Sequence, residues 1–377
     1  MSVVGTRPQL IKAAALSPVL RARHEEVFVD TGQHWDDAMA GSFFAELGLP
    51  KPDLSLDEGG GTHAEQTGRM LRGVEELLVR DRPDAVLVYG DTNSTLAGSL
   101  AAAKLGIPVA HVEAGLRSFD RAMPEEVNRV VSDHLARWLF APTPTAVSNL
   151  SREGLTKGVE LVGDLMQDLA ARVSREIADP AALEAVVAAL AARGCAVPLR
   201  PGRFLFATIH RAENRVPAAI RRWTGLLRAV ATPERPIVLA LHPGTRAAMS
   251  RDGADAGPDV AVVDPLGYRS SLALQLHAAA VLTDSGGVQR EAAWLRTPCL
   301  VLRRTTEWVE AVDGSGGSMV VIGLDADRAV GELERLAPVD AAERLARDRA
   351  LGLDLEPAGA AETIAARLGA DEAGEAA

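Results

Sequence analysis

Three carboxylates in the first half of the sequence stand where acid–base chemistry is plausible. Asp91 and Glu113 each follow an apolar run with the composition of a buried strand, and Glu125 follows Pro124 at the predicted start of a helix. A carboxylate at the end of a buried strand is unfavourable unless it has an ion-pair or hydrogen-bond partner or a functional role. Of the three carboxylates, Glu113 is therefore the hardest to explain as purely structural. Asp91 has the alternative role of a helix cap or turn residue, and Glu125 that of an acid favoured by a helix dipole.

A corner in the second half has the composition of a phosphate-binding site. The apolar run 279–282 predicts a strand, and Ala292–Leu295 continues at helical spacing, so a helix begins at the Ser285–Gly287 corner between them. Glycines let a ligand approach the backbone, and the first N–H groups of a helix have no partner within it. Glu291 falls about one turn into the helix, within reach of a ribose. An ordinary strand–turn–helix corner is the alternative.

Further polar residues follow other predicted strands. His210 and His242 come after strands of the second half, each with a buried structural histidine as the alternative reading, and Arg7 and Lys12 add positive charge from the first half. Ligands of open parallel sheets bind beyond the carboxyl ends of the strands. We therefore expect one cleft between two domains, with acid–base groups on one wall and binders of a leaving diphosphate on the other.

The elements that position these residues alternate between strand and helix. The predicted strands of the first half are Val3–Val4, Glu26–Val29, Ala85–Tyr89, Val109–Val112 and Trp138–Ala141, and its helices are Ile11–Leu20, Thr62–Arg80, Ser94–Leu105 and Glu125–Trp138. The predicted strands of the second half are Phe204–Ile209, Ile237–Leu241, Val260–Val263, Ala280–Thr283, Cys299–Leu302 and Met319–Ile322. Strict alternation predicts an α/β fold of two Rossmann-like, doubly wound domains. We place them at residues 1–165 and 166–355, followed by a short helix and acidic tail at 356–377.

Composition restricts the class of partner. The 377 residues carry a net charge of −11 and only 4% aromatic side chains, which argues against nucleic-acid and anionic-membrane surfaces. The sequence has no run of about 20 apolar residues and no secretory signal pattern. Its two cysteines, Cys195 and Cys299, have neither metal nor redox spacing, so we expect a cytoplasmic protein.

Several other chemistries fit poorly. No His/Asp cluster has the spacing of metal ligands, so we expect no metal. The residues Gly5–Pro8 lack the second and third glycines of the dinucleotide fingerprint, so we expect no nicotinamide cofactor. Ser285 lies in Asp-Ser-Gly-Gly rather than in a nucleophile elbow, and it is not a predicted nucleophile.

Six motifs, in order along nearly the whole chain, closely resemble those of the non-hydrolysing UDP-N-acetylglucosamine 2-epimerases. They are Gly5-Thr6-Arg7-Pro8-Gln9 with Lys12, Gly90-Asp91-Thr92, His111-Val112-Glu113-Ala114-Gly115-Leu116-Arg117, Pro124-Glu125-Glu126 with Asn128-Arg129, His210-Arg211 with Glu213-Asn214, and Asp284-Ser285-Gly286-Gly287 with Gln289 and Glu291. The resemblance implies a glycosyltransferase-B type fold, two Rossmann-like domains around a cleft. It also implies a homodimer, without a cofactor.

The activity implied by the resemblance is the interconversion of UDP-N-acetylglucosamine and UDP-N-acetylmannosamine, through loss and re-addition of UDP and a 2-acetamidoglucal intermediate. The implied acid–base residues are Asp91, Glu113 and Glu125, with His210 near the diphosphate. The implied binding residues are Arg7, Lys12 and His242 for phosphate, Ser285, Gly286 and Gly287 as backbone donors, Glu291 for ribose, and Leu266 in the loop expected to hold uracil. The hydrogen on the second sugar carbon is not acidic, so its removal requires a base and stabilisation of the departing diphosphate.

The sequence departs from the family pattern at a few positions. Gln9 replaces a common Glu, Trp308-Val309 replaces an Arg-Pro pair, Ser271 replaces a common aromatic residue, and 33–37 differs from the segment that binds a second nucleotide sugar. Gln9, Glu307 and Trp308 resemble the branch that contains epimerases for 2,3-diacetamido uronic acid nucleotides. Three alternatives to an epimerase also remain. They are a hydrolysing relative that releases N-acetylmannosamine and UDP, a glycosyltransferase of the same fold, and a silent nucleotide-sugar binder.

Overall fold

The computed structural model describes residues 1–33, 44, 46–195, 197–306, 308–336, 343, 355 and 357–370. The chain divides into two compact units. The first unit comprises Met1–Leu169 and Pro357–Ala377, and the second comprises Ala170–Glu356. The second unit is therefore inserted in sequence between two parts of the first.

The first unit is built on a seven-stranded parallel sheet with the strand order β3-β2-β1-β4-β5-β6-β7. Its elements are β1 (Ser2–Val4), α1 (Arg7–Arg21), β2 (Phe28–Asp30), β3 (Leu54–Ser55), α2 (His63–Asp81), β4 (Val86–Tyr89), α3 (Asn93–Lys104), β5 (Val109–Val112), α4 (Pro124–Leu135), β6 (Trp138–Ala141), α5 (Pro144–Arg152), β7 (Val159–Leu161) and α6 (Leu165–Ile177), which runs across the boundary into the second unit. Strand β1 pairs with both β2 and β4, so the strand order reverses between β1 and β4.

The second unit has a six-stranded parallel sheet with the strand order β10-β9-β8-β11-β12-β13. Its elements are α7 (Pro180–Ala192), β8 (Leu205–Ile209), a 3₁₀ turn (Ala212–Arg215), α8 (Pro217–Val230), β9 (Ile237–Leu241), α9 (Pro243–Arg251), β10 (Val260–Val263), α10 (Tyr268–His277), β11 (Ala280–Thr283), α11 (Gly286–Trp294), β12 (Cys299–Val301), α12 (Val309–Gly314), β13 (Met319–Val321) and α13 (Ala326–Leu336). Its switch point lies between β8 and β11. The prediction of two parallel α/β units is confirmed.

Local sequence accounts for most element boundaries. The Thr62 hydroxyl accepts a hydrogen bond from the Glu65 N–H, and the Glu65 carboxylate accepts one from the Thr62 N–H, which starts α2 with a capping box. The predicted helix from Glu125 overruns, because α4 ends at Leu135 and the chain is extended again before β6. The sheet-edge strands β3 and β7 were not predicted, since they are short and only partly buried.

The final described helix, α14 (Ala360–Ala370), belongs to the first unit, where it packs against α1. Both carboxylate oxygens of Asp168 accept hydrogen bonds at its start, from Gly359 N and Ala361 N at 2.9 Å each. The His24 ring binds the Ala365 carbonyl at 2.8 Å. The part of the tail beyond residue 370 lies outside the described residues. No helix in the described ranges is both long and apolar enough to span a bilayer.

Candidate active site

The carboxyl ends of β1, β4 and β5 bring two of the predicted carboxylates together in the first unit. Glu113 follows β5 and forms an ion pair with Lys12 of α1, both side chains being largely buried. The backbone of Gly90, after β4, touches this pair: a Cβ there would lie 3.2 Å from the Lys12 Nζ and 3.3 Å from a Glu113 carboxylate oxygen. Asp91 is the next residue, so its backbone and the Glu113 side chain meet at the switch point.

Arg129 of α4 holds the Asp91 carboxylate. Its guanidinium forms ion pairs with Asp91 and, at 2.9 Å, with Glu126. Burial lowers the pKa of Arg129, but the charges of Asp91, Glu126 and Glu113 outweigh burial and raise it, so the guanidinium stays charged. The Asn128 side-chain amide adds a hydrogen bond of 3.0 Å to the Asp91 carbonyl. Asp91 is thus fixed through both its side chain and its backbone.

Glu126 also shapes the loop that leads into α4. Its carboxylate accepts hydrogen bonds from Ser118 N and Ser118 Oγ at 2.9 Å each and from Phe119 N at 3.0 Å. Burial favours the neutral acid, yet these hydrogen bonds and the charge of Arg129 lower the pKa of Glu126 below its ordinary value. Sequence analysis quoted Glu126 and Arg129 within a motif but assigned neither a role. Their i,i+3 spacing is compatible with the ion pair between them, but their contacts with Asp91, Ser118 and Phe119 lie outside the helix and could not be predicted from spacing.

Glu125 is placed differently from the other two carboxylates. It is exposed in the first turn of α4, and among the described residues it has no hydrogen bond or ion pair with Asp91 or Glu113. Arg7 is the first residue of α1 and is half-buried. Of the five first-unit residues predicted for the site, the structure therefore clusters Asp91, Glu113 and Lys12.

Gln9 explains one departure from the family pattern. Its Oε1 accepts hydrogen bonds from Gly5 N at 2.8 Å and Thr6 N at 3.1 Å, while its Nε2 donates to the Tyr89 carbonyl at 2.7 Å. The side chain therefore ties the end of β1 to the end of β4, and it must both accept and donate. An ionised carboxylate only accepts, so the amide suits this position.

In the second unit, Asp284 organises the end of β11 beside β8. Its buried carboxylate lies 2.9 Å from the His210 Nδ1 and accepts hydrogen bonds from the N–H groups of His210 and Arg211 at 3.1–3.2 Å. Asn214 Nδ2 donates to it at 2.7 Å. Burial would raise the pKa of Asp284, but His210 and then these donors lower it below its ordinary value. The carboxylate is therefore ionised and fixes His210 at the switch point.

The predicted anion-binding corner begins a helix, as the sequence suggested. Ser285 caps α11 by accepting a hydrogen bond from Val288 N at 3.4 Å, and Gly286 and Gly287 form its first turn. His242 caps α9 by accepting from Gly244 N at 3.1 Å. Burial, together with the positive charges of Arg215 and His210, lowers the pKa of His242, which leaves the ring neutral and able to accept.

The residues expected to hold the nucleoside are buried. Glu291, inside α11, accepts a hydrogen bond of 2.6 Å from Gln275 Nε2 of α10. Leu266 is buried in the loop between β10 and α10. The Arg290 guanidinium lies 4.0 Å from the ring centroid of Trp308, the residue that departs from the family pattern, and 5.5 Å from that of Trp294. Residues 34–37 and Glu307, noted as departures, lie outside the described residues.

Comparison with known proteins agrees with the fold of these two units. The family model for UDP-N-acetylglucosamine 2-epimerase matches residues 19–354. The UDP-2,3-diacetamido-2,3-dideoxy-D-glucuronate 2-epimerase of Pseudomonas aeruginosa is 42% identical over 336 residues, which cover 88% of this chain and 90% of that protein. The UDP-N-acetylglucosamine 2-epimerase of Methanocaldococcus jannaschii is 40% identical over 347 residues, covering 88% and 90% respectively.

Solved structures are similar over almost the full length. A crystal structure of the Methanocaldococcus jannaschii UDP-GlcNAc 2-epimerase in complex with UDP-GlcNAc and UDP has a TM-score of 0.81 and 33% identity, and the match covers 97% of this chain and 98% of that one. The similarity extends across both units and confirms the fold class that the motifs implied. The chain belongs to the UDP-N-acetylglucosamine 2-epimerase family, and it is an isomerase.

Proposed function

We propose that this enzyme interconverts UDP-N-acetylglucosamine and UDP-N-acetylmannosamine by eliminating UDP and adding it back. The observation that carries the proposal is that two carboxylates follow the paired strands β4 and β5 of the first unit, Asp91 held by Arg129 and Glu113 by Lys12. Two positioned carboxylates supply the base and the acid that inversion at the second sugar carbon requires. The family match and the related structure bound to UDP-GlcNAc support the substrate class.

In the proposed reaction, a carboxylate of the first unit removes the proton from the second carbon as the bond between the first carbon and UDP breaks. A double bond forms between the two carbons, giving 2-acetamidoglucal and UDP. UDP then attacks the first carbon again, and a protonated acid returns a proton to the opposite face of the second carbon. We assign the acid–base work to Asp91, Glu113 and Glu125. Lys12 forms the ion pair with Glu113 and is also a candidate phosphate contact.

The second unit supplies most of the proposed groups for UDP, and Arg7 and Lys12 of the first unit are the others. We propose that the Ser285, Gly286 and Gly287 N–H groups bind phosphate at the start of α11, where the helix dipole favours an anion. The proposed side-chain partners of the diphosphate are His210, His242 and Arg7. Of these, His210 is proposed to stabilise the negative charge that develops on the diphosphate as the bond breaks. Glu291 is the proposed ribose ligand, with Leu266 beside uracil. These donors stabilise the departing UDP and hold it for re-addition.

A second substrate has a specific observation in its favour. The Pseudomonas aeruginosa relative is named for UDP-2,3-diacetamido-2,3-dideoxy-D-glucuronate, and its identity of 42% is close to the 40% of the Methanocaldococcus jannaschii protein. In this chain Trp308 also stands where a substrate-side arginine is common. The difference between 42% and 40% does not separate the two sugars, so the alternative is 2-epimerisation of this diacetamido uronic acid nucleotide.

One panel experiment separates these functions. The purified protein is incubated in deuterated water with UDP-N-acetylglucosamine or with UDP-2,3-diacetamido-glucuronate, and the products are analysed by proton and phosphorus NMR. An epimerase incorporates deuterium at the second carbon and keeps the nucleotide sugar intact. Free UDP released in proportion to turnover identifies a hydrolysing enzyme instead. No deuterium incorporation with either sugar contradicts the proposal and favours a transferase or a binder.

We also propose that the enzyme is a cytoplasmic homodimer. The resemblance to the family supports the dimer, and the two free cysteines are compatible with a reducing compartment. Sedimentation equilibrium over a range of protein concentrations tests the dimer. A single species at the monomer mass of 39.7 kDa contradicts it.

A further inference from the structure

The buried histidine of β5 lies directly behind the two clustered carboxylates. His111 is fully buried, and each of its ring nitrogens lies 2.7 Å from an oxygen: Nδ1 from Asp133 Oδ1 and Nε2 from the Gly90 carbonyl. A backbone carbonyl oxygen carries no hydrogen and only accepts, so Nε2 must carry a proton. The proton count of His111 therefore depends on whether Asp133 is ionised.

The surroundings of Asp133 favour the carboxylate. Its second oxygen lies 2.7 Å from the Arg117 guanidinium and accepts a hydrogen bond of 3.1 Å from Gly115 N. The Arg117 cation and the Gly115 N–H both favour the ionised form of this carboxyl, whatever the state of His111. An ionised Asp133 only accepts, so the His111 Nδ1 must carry a proton as well. Both ring nitrogens are then protonated, and His111 is an imidazolium.

The charges of this buried network balance when His111 is protonated. Arg117 bridges Asp133 and Glu153, with 2.7 Å to an oxygen of each. Two cations, His111 and Arg117, then face two anions. A neutral His111 would leave the network with an excess negative charge behind Glu113, and burying an uncompensated charge is unfavourable. Lys12 and Glu113 form a further ion pair beside Gly90, and His134 is a titratable group that acts on Glu153.

The network holds the backbone at three unusual positions. Gly90, Glu113 and Gly115 all have positive φ angles, 65°, 72° and 81°. A non-glycine residue in this region is strained and persists only where its surroundings fix it. His111 fixes the Gly90 carbonyl and Asp133 fixes Gly115 N, so one ion pair clamps the turn before Asp91 and the turn after Glu113.

We propose that His111 is a permanently charged positioning residue that, with Asp133, sets the distance between Asp91 and Glu113. The role rests on the proposed function, because it matters only if these two carboxylates exchange protons with one substrate. His111 itself faces no substrate, since both of its nitrogens are engaged. Its two hydrogen bonds hold the Gly90 turn in a fixed position relative to Asp133 and so to the Gly115 turn.

The first test measures protonation directly. The full-length protein is labelled with ¹⁵N at histidine, and both ring nitrogens of His111 are followed up to about pH 8, above the ordinary histidine pKa of about 6.5. We expect both nitrogens to stay protonated, each with a directly bonded hydrogen. The resonances are assigned by their loss in His111→Gln and their retention in His277→Gln, which removes the other buried histidine of the described residues. A single protonated nitrogen at that pH overturns the proposal.

The second test measures the positioning role. Glutamine at position 111 cannot donate to Asp133 and to the Gly90 carbonyl with the geometry of the imidazole ring. We therefore expect His111→Gln to lower kcat by about tenfold or more, with KM changed less than about threefold. His134→Gln, an exposed histidine on α4, is the matched control and should leave kcat unchanged. A His111→Gln protein with the kcat of the wild type, or with only KM and Tm altered, contradicts the role.

A negative result in these two tests can be distinguished from a failure of the proposed function. If the wild type epimerises no UDP-sugar, the proposed function is wrong, while the NMR result still decides the charge of His111. If His111→Gln does not fold, Asp133→Asn is tested instead, because asparagine has the shape of aspartate without its negative charge. We then expect one His111 nitrogen to lose its proton at about pH 8, and a doubly protonated ring in that variant overturns the coupling to Asp133.

Discussion

Glu113 combines an unusual backbone with a buried charge. Its φ of 72° turns the chain sharply after β5, and its carboxylate is paired with Lys12 in a largely buried place. Residues in such conformations cluster at functional sites, where the surrounding structure maintains them. The positive φ and the ion pair were not predictable from the sequence, because both depend on α1 and β4, which lie far from Glu113 along the chain.

We expect Glu113→Gln to lower the rate of epimerisation by about 10²–10⁴-fold, because a carboxamide cannot accept the proton. Binding of UDP should change far less than the rate, since most of the proposed donors for UDP lie in the second unit. The measurements are kcat from the NMR assay and the dissociation constant of UDP from calorimetry. Glu75→Gln, at an exposed position of α2, serves as the control. Equal loss of rate and of UDP binding would argue against separate tasks for the two units.

Asp30 provides a second prediction at this scale. It ends β2 and is buried, and burial raises its pKa from 3.8 to about 6, with a hydrogen bond from Gly32 N opposing the shift. A raised folded-state pKa means that the stability contribution is complete below pH 3.8 and is lost as the pH rises through about 6. The ionised side chain therefore destabilises the protein at neutral pH.

We expect Asp30→Asn to increase the free energy of unfolding at about pH 8 by roughly 1–3 kcal/mol, since the amide carries no charge to bury. The gain should shrink steadily as the pH falls towards about 4.5. Urea unfolding of both proteins across this range measures it, and Asp255→Asn at an exposed position is the control. A gain that is independent of pH would show that desolvation of the charge is not its cause.

At the scale of the element, the start of α11 is the feature best predicted from the sequence. The Ser285 cap and the two glycines of the first turn lie where the Asp-Ser-Gly-Gly motif indicated. Helix starts have a local signature, so they can be read from a few residues. The edge strands β3 and β7 lack such a signature, and only their pairing with β2 and β6 makes them strands.

We expect Gly286→Ala to weaken UDP binding by about tenfold, because a methyl group at a helix N-terminus obstructs the approach of phosphate to the backbone N–H groups. Helix stability should not fall, since alanine is the better helix former. Gly331→Ala in α13, where a Cβ would meet no atom within 4 Å, is the matched control. Isothermal calorimetry with UDP provides the comparison, and equal affinities for both variants would remove α11 from the UDP site.

At the scale of the whole molecule, the sequence supports more of the fold than of the site. Two rows of apolar strands separated by helices predict two parallel sheets, and both are present. The boundaries of the units depend on which elements pack together, so the tail helix could not be assigned to the first unit from sequence. Likewise, the residues that hold Asp91 and His210, namely Arg129 and Asp284, are identified only by distances in the folded chain.

We expect removal of residues 357–377 to destabilise the first unit selectively. The deletion uncovers α1 and takes away both backbone N–H partners of the Asp168 carboxylate. Hydrogen–deuterium exchange should show faster exchange in α1 and α6, with β8–β13 protected as in the full-length protein. The second unit is the internal control. Uniformly faster exchange in both units would contradict the division of the chain.

Because α14 follows the whole of residues 170–356, the ribosome makes the last piece of the first unit only after the second unit is complete. Nascent proteins usually fold from the N-terminus, one domain after another. Here the order is inverted, because the second unit can reach its native state while the first unit still lacks α14. The apolar face of α1 is thus left uncovered for most of translation, and this is the interval in which chaperones would be needed.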